Sequence, residues 1–147
     1  MVKAEKTAAG APSIPVKIGG DVALPPPAGA WEQAARWRIR ILAVTAPQVA
    51  AVFLRFQYAG DTARLYSGQR LVTDDFYHGA PWEIGLWRTG ELKNAQDLEL
   101  RLLPLRQDAP IHLPAGAWPA FPASGEVADL RSVTTIPEYQ AVLDAGL

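Results

Sequence analysis

Apolar and polar residues alternate in several stretches between Trp37 and Leu103. In the first stretch Trp37, Ile39 and Ile41 share one face of the chain. The other face carries Arg38, Arg40 and Leu42. A period of two is typical of a strand with one buried face. The alternation therefore predicts strands over Trp37–Val44, Val52–Tyr58, Ala63–Tyr66, Arg70–Thr73 and Leu98–Leu103.

Short turn sequences separate the central strands. Ala59-Gly60-Asp61 follows the second predicted strand, and Ser67-Gly68-Gln69 follows the third. Connections this short predict an antiparallel meander in which consecutive strands pair. Phe56 and Leu65 are predicted to be buried core residues of these paired strands.

Weaker patterns lie on either side of the central strands. Ile14–Ile18 predicts a short edge strand, Trp31–Arg36 a helical turn, and Ile111–Leu113 another short strand. A late helix is predicted at Pro137–Leu143, because proline suits the first helical position. Many short strands with Gly and Pro between them, and no alternation with long helices, indicate an all-β sandwich or barrel.

Composition narrows the class of protein. The 147 residues match one domain, which we divide into a flexible tail or linker at 1–12 and a single domain at 13–147. With 14 basic and 15 acidic side chains, the chain lacks the charge of a general nucleic-acid binder. Zero Cys excludes disulfides and thiolate zinc sites. No apolar run approaches the ~20 residues of a membrane helix, and no secretory signal is expected.

Three blocks in the centre of the chain carry a family resemblance. They are YAGDTARLY at Tyr58–Tyr66, LVTDDFYHGAPWEIGL at Leu71–Leu86 and LELRLLPLRQDAPI at Leu98–Ile111. Together, and in this order, they resemble the C-terminal β-sandwich region of bacterial β-galactosidases of glycoside hydrolase family 35. The resemblance implies a jelly-roll, galactose-binding-like sandwich of two antiparallel sheets.

The resemblance also implies a function. Catalysis in that family belongs to a separate TIM barrel with a pair of glutamates, and this chain is too short for a barrel of about 250 residues. We therefore assign no catalytic residue and expect a non-catalytic accessory domain. Its expected partners are the catalytic barrel of a parent glycosidase and galactose-containing glycans. One alternative is a free-standing carbohydrate-binding module or lectin, and another is a small glycan hydrolase that uses Asp75 or Glu83.

The loop from Asp75 to Glu83 holds an unusual group of side chains. Sugar sites combine aromatic surfaces with a few polar groups that fix the hydroxyls. On this basis the candidate carbohydrate-binding residues are Asp75, Tyr77, His78, Trp82 and Glu83. The alternative is that Trp82 and Phe76 are core residues that cap one end of the sandwich, since large aromatic side chains dominate cores.

Asp74 and Asp75 are candidate ligands of a structural Ca²⁺, because hard cations prefer carboxylate and backbone oxygens. The alternative is that both are turn residues that bond nearby backbone amides. Adjacent residues of a strand point to opposite faces, which argues against these two acids as a glycosidase pair. No other cofactor is expected.

Overall fold

The computed structural model describes residues 2–20, 22–43, 47–89 and 96–143. These residues form mostly strands, with a single short α-helix and a 3-10 turn at Leu86–Arg88. Among them, no helix has the length and apolar character needed to cross a membrane. The elements in chain order are β1 (Val2–Ala8), β2 (Ile18–Gly19), β3 (Val22–Ala23), α1 (Ala28–Glu32), β4 (Ala35–Ile41), β5 (Val49–Ala59), β6 (Thr62–Ser67), β7 (Arg70–Phe76), β8 (Trp82–Gly85), β9 (Gln96–Leu102), β10 (Leu105–Arg106), β11 (Glu126–Val127) and β12 (Asp129–Tyr139).

Two antiparallel sheets form the body of the fold. One sheet has five strands in the order β1-β4-β9-β6-β7, and the other has three in the order β12-β5-β8. The apolar faces of both sheets contribute to one core, in which Ile39, Leu65 and Leu100 of the larger sheet join Leu54 and Phe56 of the smaller one. All five side chains are fully buried. The predicted all-β sandwich of two antiparallel sheets is therefore confirmed, as is the burial of Phe56 and Leu65.

The central strands lie where the alternation predicts them, as β4, β5, β6, β7 and β9. The predicted end of the first strand at Val44 lies outside the described residues. The predicted meander is wrong at its first turn, because β5 and β6 belong to different sheets. Each of these strands has its own apolar face, and placing them in opposite sheets turns both faces toward the core. The second turn is correct, since β6 and β7 pair as a hairpin around Gly68, whose φ is +59°.

The predicted flexible tail at 1–12 is corrected by the structure. Val2–Ala8 forms β1, which pairs with β4 from Val2 opposite Ile41 to Ala8 opposite Arg36. An edge strand of this kind is held by backbone hydrogen bonds to one neighbour, and most of its side chains are exposed. It therefore needs no alternating apolar pattern, and this is why the sequence gives it no strand signal.

Most of the predictions outside the central strands are wrong or only partly correct. The helix at Pro137–Leu143 is wrong, because Pro137 pairs with Val52 near the end of β12. Proline is tolerated there since β12 is an edge strand. No strand forms at Ile111–Leu113, and the predicted edge strand at Ile14–Ile18 is reduced to β2. The helical turn is present as α1, although it begins and ends a few residues earlier than predicted.

Candidate functional site

The three sequence blocks meet at one end of the sandwich, around the turn that joins β5 to β6. The N–H of Asp61 donates to the carbonyl oxygen of Leu103 at 2.8 Å, and the carbonyl of Asp61 accepts from the N–H of Tyr77 at 2.9 Å. The N–H of Leu103 donates to the carbonyl of Thr62 at 3.0 Å. A Cβ on Gly60 would lie 3.0 Å from the Leu103 carbonyl oxygen. Residues of all three blocks thus build the sandwich end through backbone contacts.

A partly buried hydrogen bond joins the first two blocks. The hydroxyl of Tyr58 donates to Oδ2 of Asp75 at 2.8 Å, and the Tyr58 ring packs edge-on against Tyr77. Burial and this hydrogen bond raise the pKa of Tyr58 far above its ordinary value. Burial also raises the pKa of Asp75, although the hydrogen bond from Tyr58 opposes that shift. Asp75 is therefore held as an acceptor for a tyrosine hydroxyl.

The aromatic residues of the predicted sugar-binding loop lie mostly in the core. Trp82 is 8% exposed, and its ring packs against Phe56 and Tyr58 with centroids 5.3 Å and 6.3 Å apart. Tyr77 is buried, and its hydroxyl donates to the carbonyl of Ala117 at 2.8 Å. The interpretation of Trp82 as a core residue is confirmed. The same interpretation is wrong for Phe76, which is 70% exposed because it lies on the outer face of β7.

The polar residues of that loop are dispersed. Glu83 accepts a hydrogen bond from Nε of Arg55 at 2.6 Å across the smaller sheet. Nδ1 of His78 lies 3.8 Å from Oδ2 of Asp75 in an exposed position. Asp74 is exposed and faces away from Asp75 on β7. In the part of the chain that the structure describes, no group of three or more His, Asp or Glu side chains is placed to hold a metal ion.

A groove of about 500 Å³ lies on the outer face of the larger sheet, and we call it the outer groove. Its floor consists of Thr62 and Arg64 of β6 with Asp74 and Phe76 of β7, and its walls are residues 11–17, residues 24–27 and Trp31 of α1. Five prolines stand in these walls, at positions 12, 15, 25, 26 and 27. The three consecutive prolines at 25–27 lie in the connection between β3 and α1.

Several hydrogen bonds hold the walls of the outer groove against the sandwich. Both the N–H and the hydroxyl of Ser13 donate to Oε2 of Glu126, at 3.0 Å and 2.5 Å. The N–H of Ala11 donates to the carbonyl of Gln33 at 2.8 Å. The N–H of Leu24 donates to the carbonyl of Lys17 at the same distance. These bonds tie the walls to Glu126, to Gln33 and to each other.

Arg64 is the basic residue on the floor of the outer groove. Its guanidinium carbon lies 4.1 Å from the centre of the Trp31 ring, a cation–π arrangement. The Nε of Arg64 is buried and has no hydrogen-bond partner among the described residues. Buried N–H groups nearly always have a partner, so this donor requires an explanation.

Arg64 also ends a row of three arginines on the outer face of the larger sheet. Arg36 stands opposite Arg101 in the strand pairing, and Arg101 stands opposite Arg64. Like charges directly across strands are destabilising unless they are compensated. Arg36 donates to the carbonyl of Glu32 at 2.6 Å, and Arg101 donates to the carboxylate of Glu99 at 2.5 Å. Arg64 has no such partner within the described ranges.

Two carboxyl groups share the outer groove with Arg64. Asp74 stands opposite Arg64 in the strand pairing and is exposed. Asp61 lies at the end of the groove, where burial raises its pKa above the ordinary carboxyl value. The lining thus combines one arginine and two carboxyl residues with a mostly apolar surface.

The fold defines the chain as an antiparallel all-β sandwich with a groove on the outer face of its larger sheet. Comparison of the chain with protein-family models, with curated proteins and with solved structures finds no match.

Proposed function

We propose that the chain is a non-catalytic accessory β-sandwich of a glycosidase resembling the β-galactosidases of glycoside hydrolase family 35. In this role it packs against a catalytic barrel and helps to hold the enzyme together. We also propose that its sandwich has the jelly-roll, galactose-binding-like fold that the resemblance implies. The family resemblance supplies the partner, and the geometry supplies the reason for a structural role.

One observation carries this proposal: the residues that give the three blocks their pattern make structural contacts with one another. Gly60 leaves room for the Leu103 carbonyl, and Asp61 bonds both Leu103 and Tyr77 through its backbone. The carboxyl groups expected of a hydrolase are engaged elsewhere. Asp75 accepts from Tyr58, and Glu83 pairs with Arg55. These contacts favour an accessory role over the small-hydrolase alternative.

The carbohydrate-binding alternative receives less support from the predicted loop. A stacking platform needs an open aromatic face, and the ring of Trp82 is covered by Phe56 and Tyr58. A buried ring of this kind stabilises the fold and offers no surface to a sugar. The geometry of the loop therefore favours a structural role over sugar binding.

The experiment mixes the isolated chain with the catalytic barrel of a bacterial family 35 β-galactosidase that lacks its own C-terminal sandwich. We expect the two to elute together from a size-exclusion column, and we expect the barrel to melt at a higher temperature in the complex. An unrelated β-sandwich of similar size serves as the control. Absence of a complex and of any stabilisation would contradict the accessory role.

A second measurement tests the non-catalytic part of the proposal. The isolated chain should not hydrolyse aryl β-galactosides above the rate of a buffer blank, because its candidate carboxyl groups are engaged in other contacts. Robust turnover that disappears in Glu83→Gln would instead support the small hydrolase.

A further inference from the structure

We propose that the outer face of the smaller sheet is a glycan-binding surface, on which a neutral pyranose unit stacks on Trp87 and bonds Arg55 and Glu83. This surface, which we call the Trp87 platform, also includes Gly85 of β8 and Phe53 of β5. It lies on the opposite side of the core from the outer groove. Glycan binding here goes beyond the proposed accessory role and does not depend on it.

Trp87 presents an exposed ring that the fold holds in one place. The residue is 55% exposed. Gly85 lies on the outer face of β8, opposite Phe53, and yet it is buried. The indole covers it, because a Cβ on Gly85 would overlap the six-membered ring of Trp87. Phe53 stands edge-on to the indole, with the ring centroids 5.1 Å apart. The glycine and the phenylalanine therefore fix the position of the ring on the sheet.

A pair of charged side chains flanks the ring on the same face. Arg55 is two residues from Phe53 along β5, and Glu83 is two residues from Gly85 along β8. Two residues of a strand span about 7 Å. The Nε of Arg55 donates to Oε1 of Glu83 at 2.6 Å, and the two side chains are about half exposed. A guanidinium has five N–H donors and a carboxylate about four acceptor sites, so the pair has further capacity to bond hydroxyl groups.

A neutral polyol with one apolar face matches this arrangement. A pyranose ring carries C–H groups on its face and hydroxyl groups around its edge. The C–H face suits the open surface of Trp87, and the hydroxyl groups suit the donors of Arg55 and the acceptors of Glu83. Sugar sites combine an aromatic surface with a few polar groups that fix the hydroxyls. The Trp87 platform has both parts on one face of one sheet.

Two other ligand classes match the platform less well. An anion or a cation would meet one attractive and one repulsive charge, because Arg55 and Glu83 neutralise each other. A protein partner would need a larger face. The sheet is three strands wide, and β8 has four residues, so the part with all three strands covers about 200 Å². A standard protein interface buries about 800 Å² on each partner.

The experiment uses the full chain labelled with ¹⁵N and follows the indole N–H signals of its five tryptophans. The signal of Trp87 is assigned by its loss in Trp87→Ala. The pyranose probes are methyl β-glucoside and methyl β-galactoside. Sorbitol is the control polyol without a rigid C–H face, and benzyl alcohol is the control apolar ligand. We expect at least one pyranoside to shift the signals of Trp87, Arg55 and Glu83, with a dissociation constant on the order of millimolar. We expect neither control ligand to do so.

Two variants separate the ring from its placement. Trp87→Ala removes the stacking surface and should weaken pyranoside binding by about 10-fold or more, measured on the amide signals of Arg55 and Glu83. Gly85→Ala keeps Trp87 but puts a Cβ where the indole lies, so it should displace the ring and weaken binding by a similar factor. The φ of Gly85 is −67°, which alanine adopts without strain, so this variant should keep the fold.

A third variant tests the polar part of the platform without touching the ring. Glu83→Ala removes a hydroxyl partner and should weaken pyranoside binding about 3- to 10-fold, the effect of one hydrogen bond. An exposed ion pair contributes little to stability, so the variant should melt close to the wild type. Phe76→Ala is the matched control, because Phe76 is an exposed aromatic residue of the larger sheet. It should bind pyranosides as the wild type does.

The inference is overturned if neither pyranoside shifts the Trp87 signal, or if Trp87→Ala and Gly85→Ala bind with the affinity of the wild type. Equal responses to a pyranoside and to sorbitol or benzyl alcohol would also overturn it, because the surface would then lack selectivity for a sugar. Pyranoside binding without binding of the catalytic barrel would keep the platform and remove the accessory role. Barrel binding that is lost in Trp87→Ala, with no pyranoside response, would replace the glycan site with a protein contact.

Discussion

Replacing Trp82 by alanine tests whether the second sequence block is structural. The side chain is 8% exposed and packs against Phe56 and Tyr58 in the core between the sheets. Truncation of a buried tryptophan typically costs about 3–5 kcal/mol. One kcal/mol corresponds to about 3–4 °C for a domain of this size, so the melting temperature should fall by roughly 10–20 °C.

The matched control is Trp87→Ala. Trp87 is 55% exposed and packs edge-on against Phe53 with ring centroids 5.1 Å apart. Losing one such aromatic contact costs about 0.5–1.5 kcal/mol, so this variant should melt less than about 6 °C below the wild type. Both variants are measured by differential scanning calorimetry, with a parallel titration of galactose. If Trp82→Ala melts like Trp87→Ala while a galactose response disappears, the ring lies at a sugar site and the burial argument fails.

Two further substitutions probe the end of the sandwich. Burial raises the pKa of Asp61 above its ordinary value of 3.8, so the folded state favours the protonated carboxyl. The stability that this preference contributes is present below pH 3.8 and is lost as the pH rises through the folded pKa. Asp61→Asn should therefore raise the melting temperature at pH 7, with a gain that vanishes below about pH 4. Asp108→Asn should do the reverse, because an arginine partner lowers the pKa of Asp108; a pH-independent gain at Asp61 would refute the assignment. Gly60→Ala should cost about 1–3 kcal/mol in chemical denaturation, since its Cβ would lie 3.0 Å from the Leu103 carbonyl. Gly116→Ala, where a Cβ meets open space, should change stability by less than about 0.5 kcal/mol, and equal losses in the two variants would contradict the packing argument.

The strands that could be predicted from the sequence are those whose apolar alternation matches the side of the strand that faces the core. In β4, and in β5 from Val52 to Tyr58, every second residue is apolar and buried, so the pattern and the core agree. β1 could not be predicted in this way, because its pairing with β4 depends on backbone groups that every residue has. The helix predicted from Pro137 failed for a related reason. A proline at a first helical position and a proline on an edge strand look alike until the partner strand is known.

The candidate site was harder to predict than the fold. The loop from Asp75 to Glu83 has the residue types of a sugar site, yet the structure uses Tyr77 and Trp82 as core residues. Chemistry alone does not reveal which face of a strand a side chain occupies. The outer groove was missed because its walls at residues 11–17 and 24–27 are far in sequence from Arg64 on its floor. One feature of the sequence could have indicated the floor of the groove. It is an arginine in an alternating strand, with two further arginines on neighbouring strands.

The floor of the outer groove consists of residues of the sandwich strands, whereas its walls consist of residues outside those strands. Arg64 belongs to β6, whose inward residues Ala63 and Leu65 are part of the core, and the turn at Asp61 ties β6 to Leu103. Asp74 and Phe76 belong to β7, which pairs with β6. The walls belong to none of the three blocks and are held by a few hydrogen bonds, of which the Ser13 bonds to Glu126 are the side-chain example. Changes in the walls can therefore reshape the groove while the core stays intact. A chain with the same blocks and a different segment between β1 and α1 would keep the sandwich but present a different outer surface.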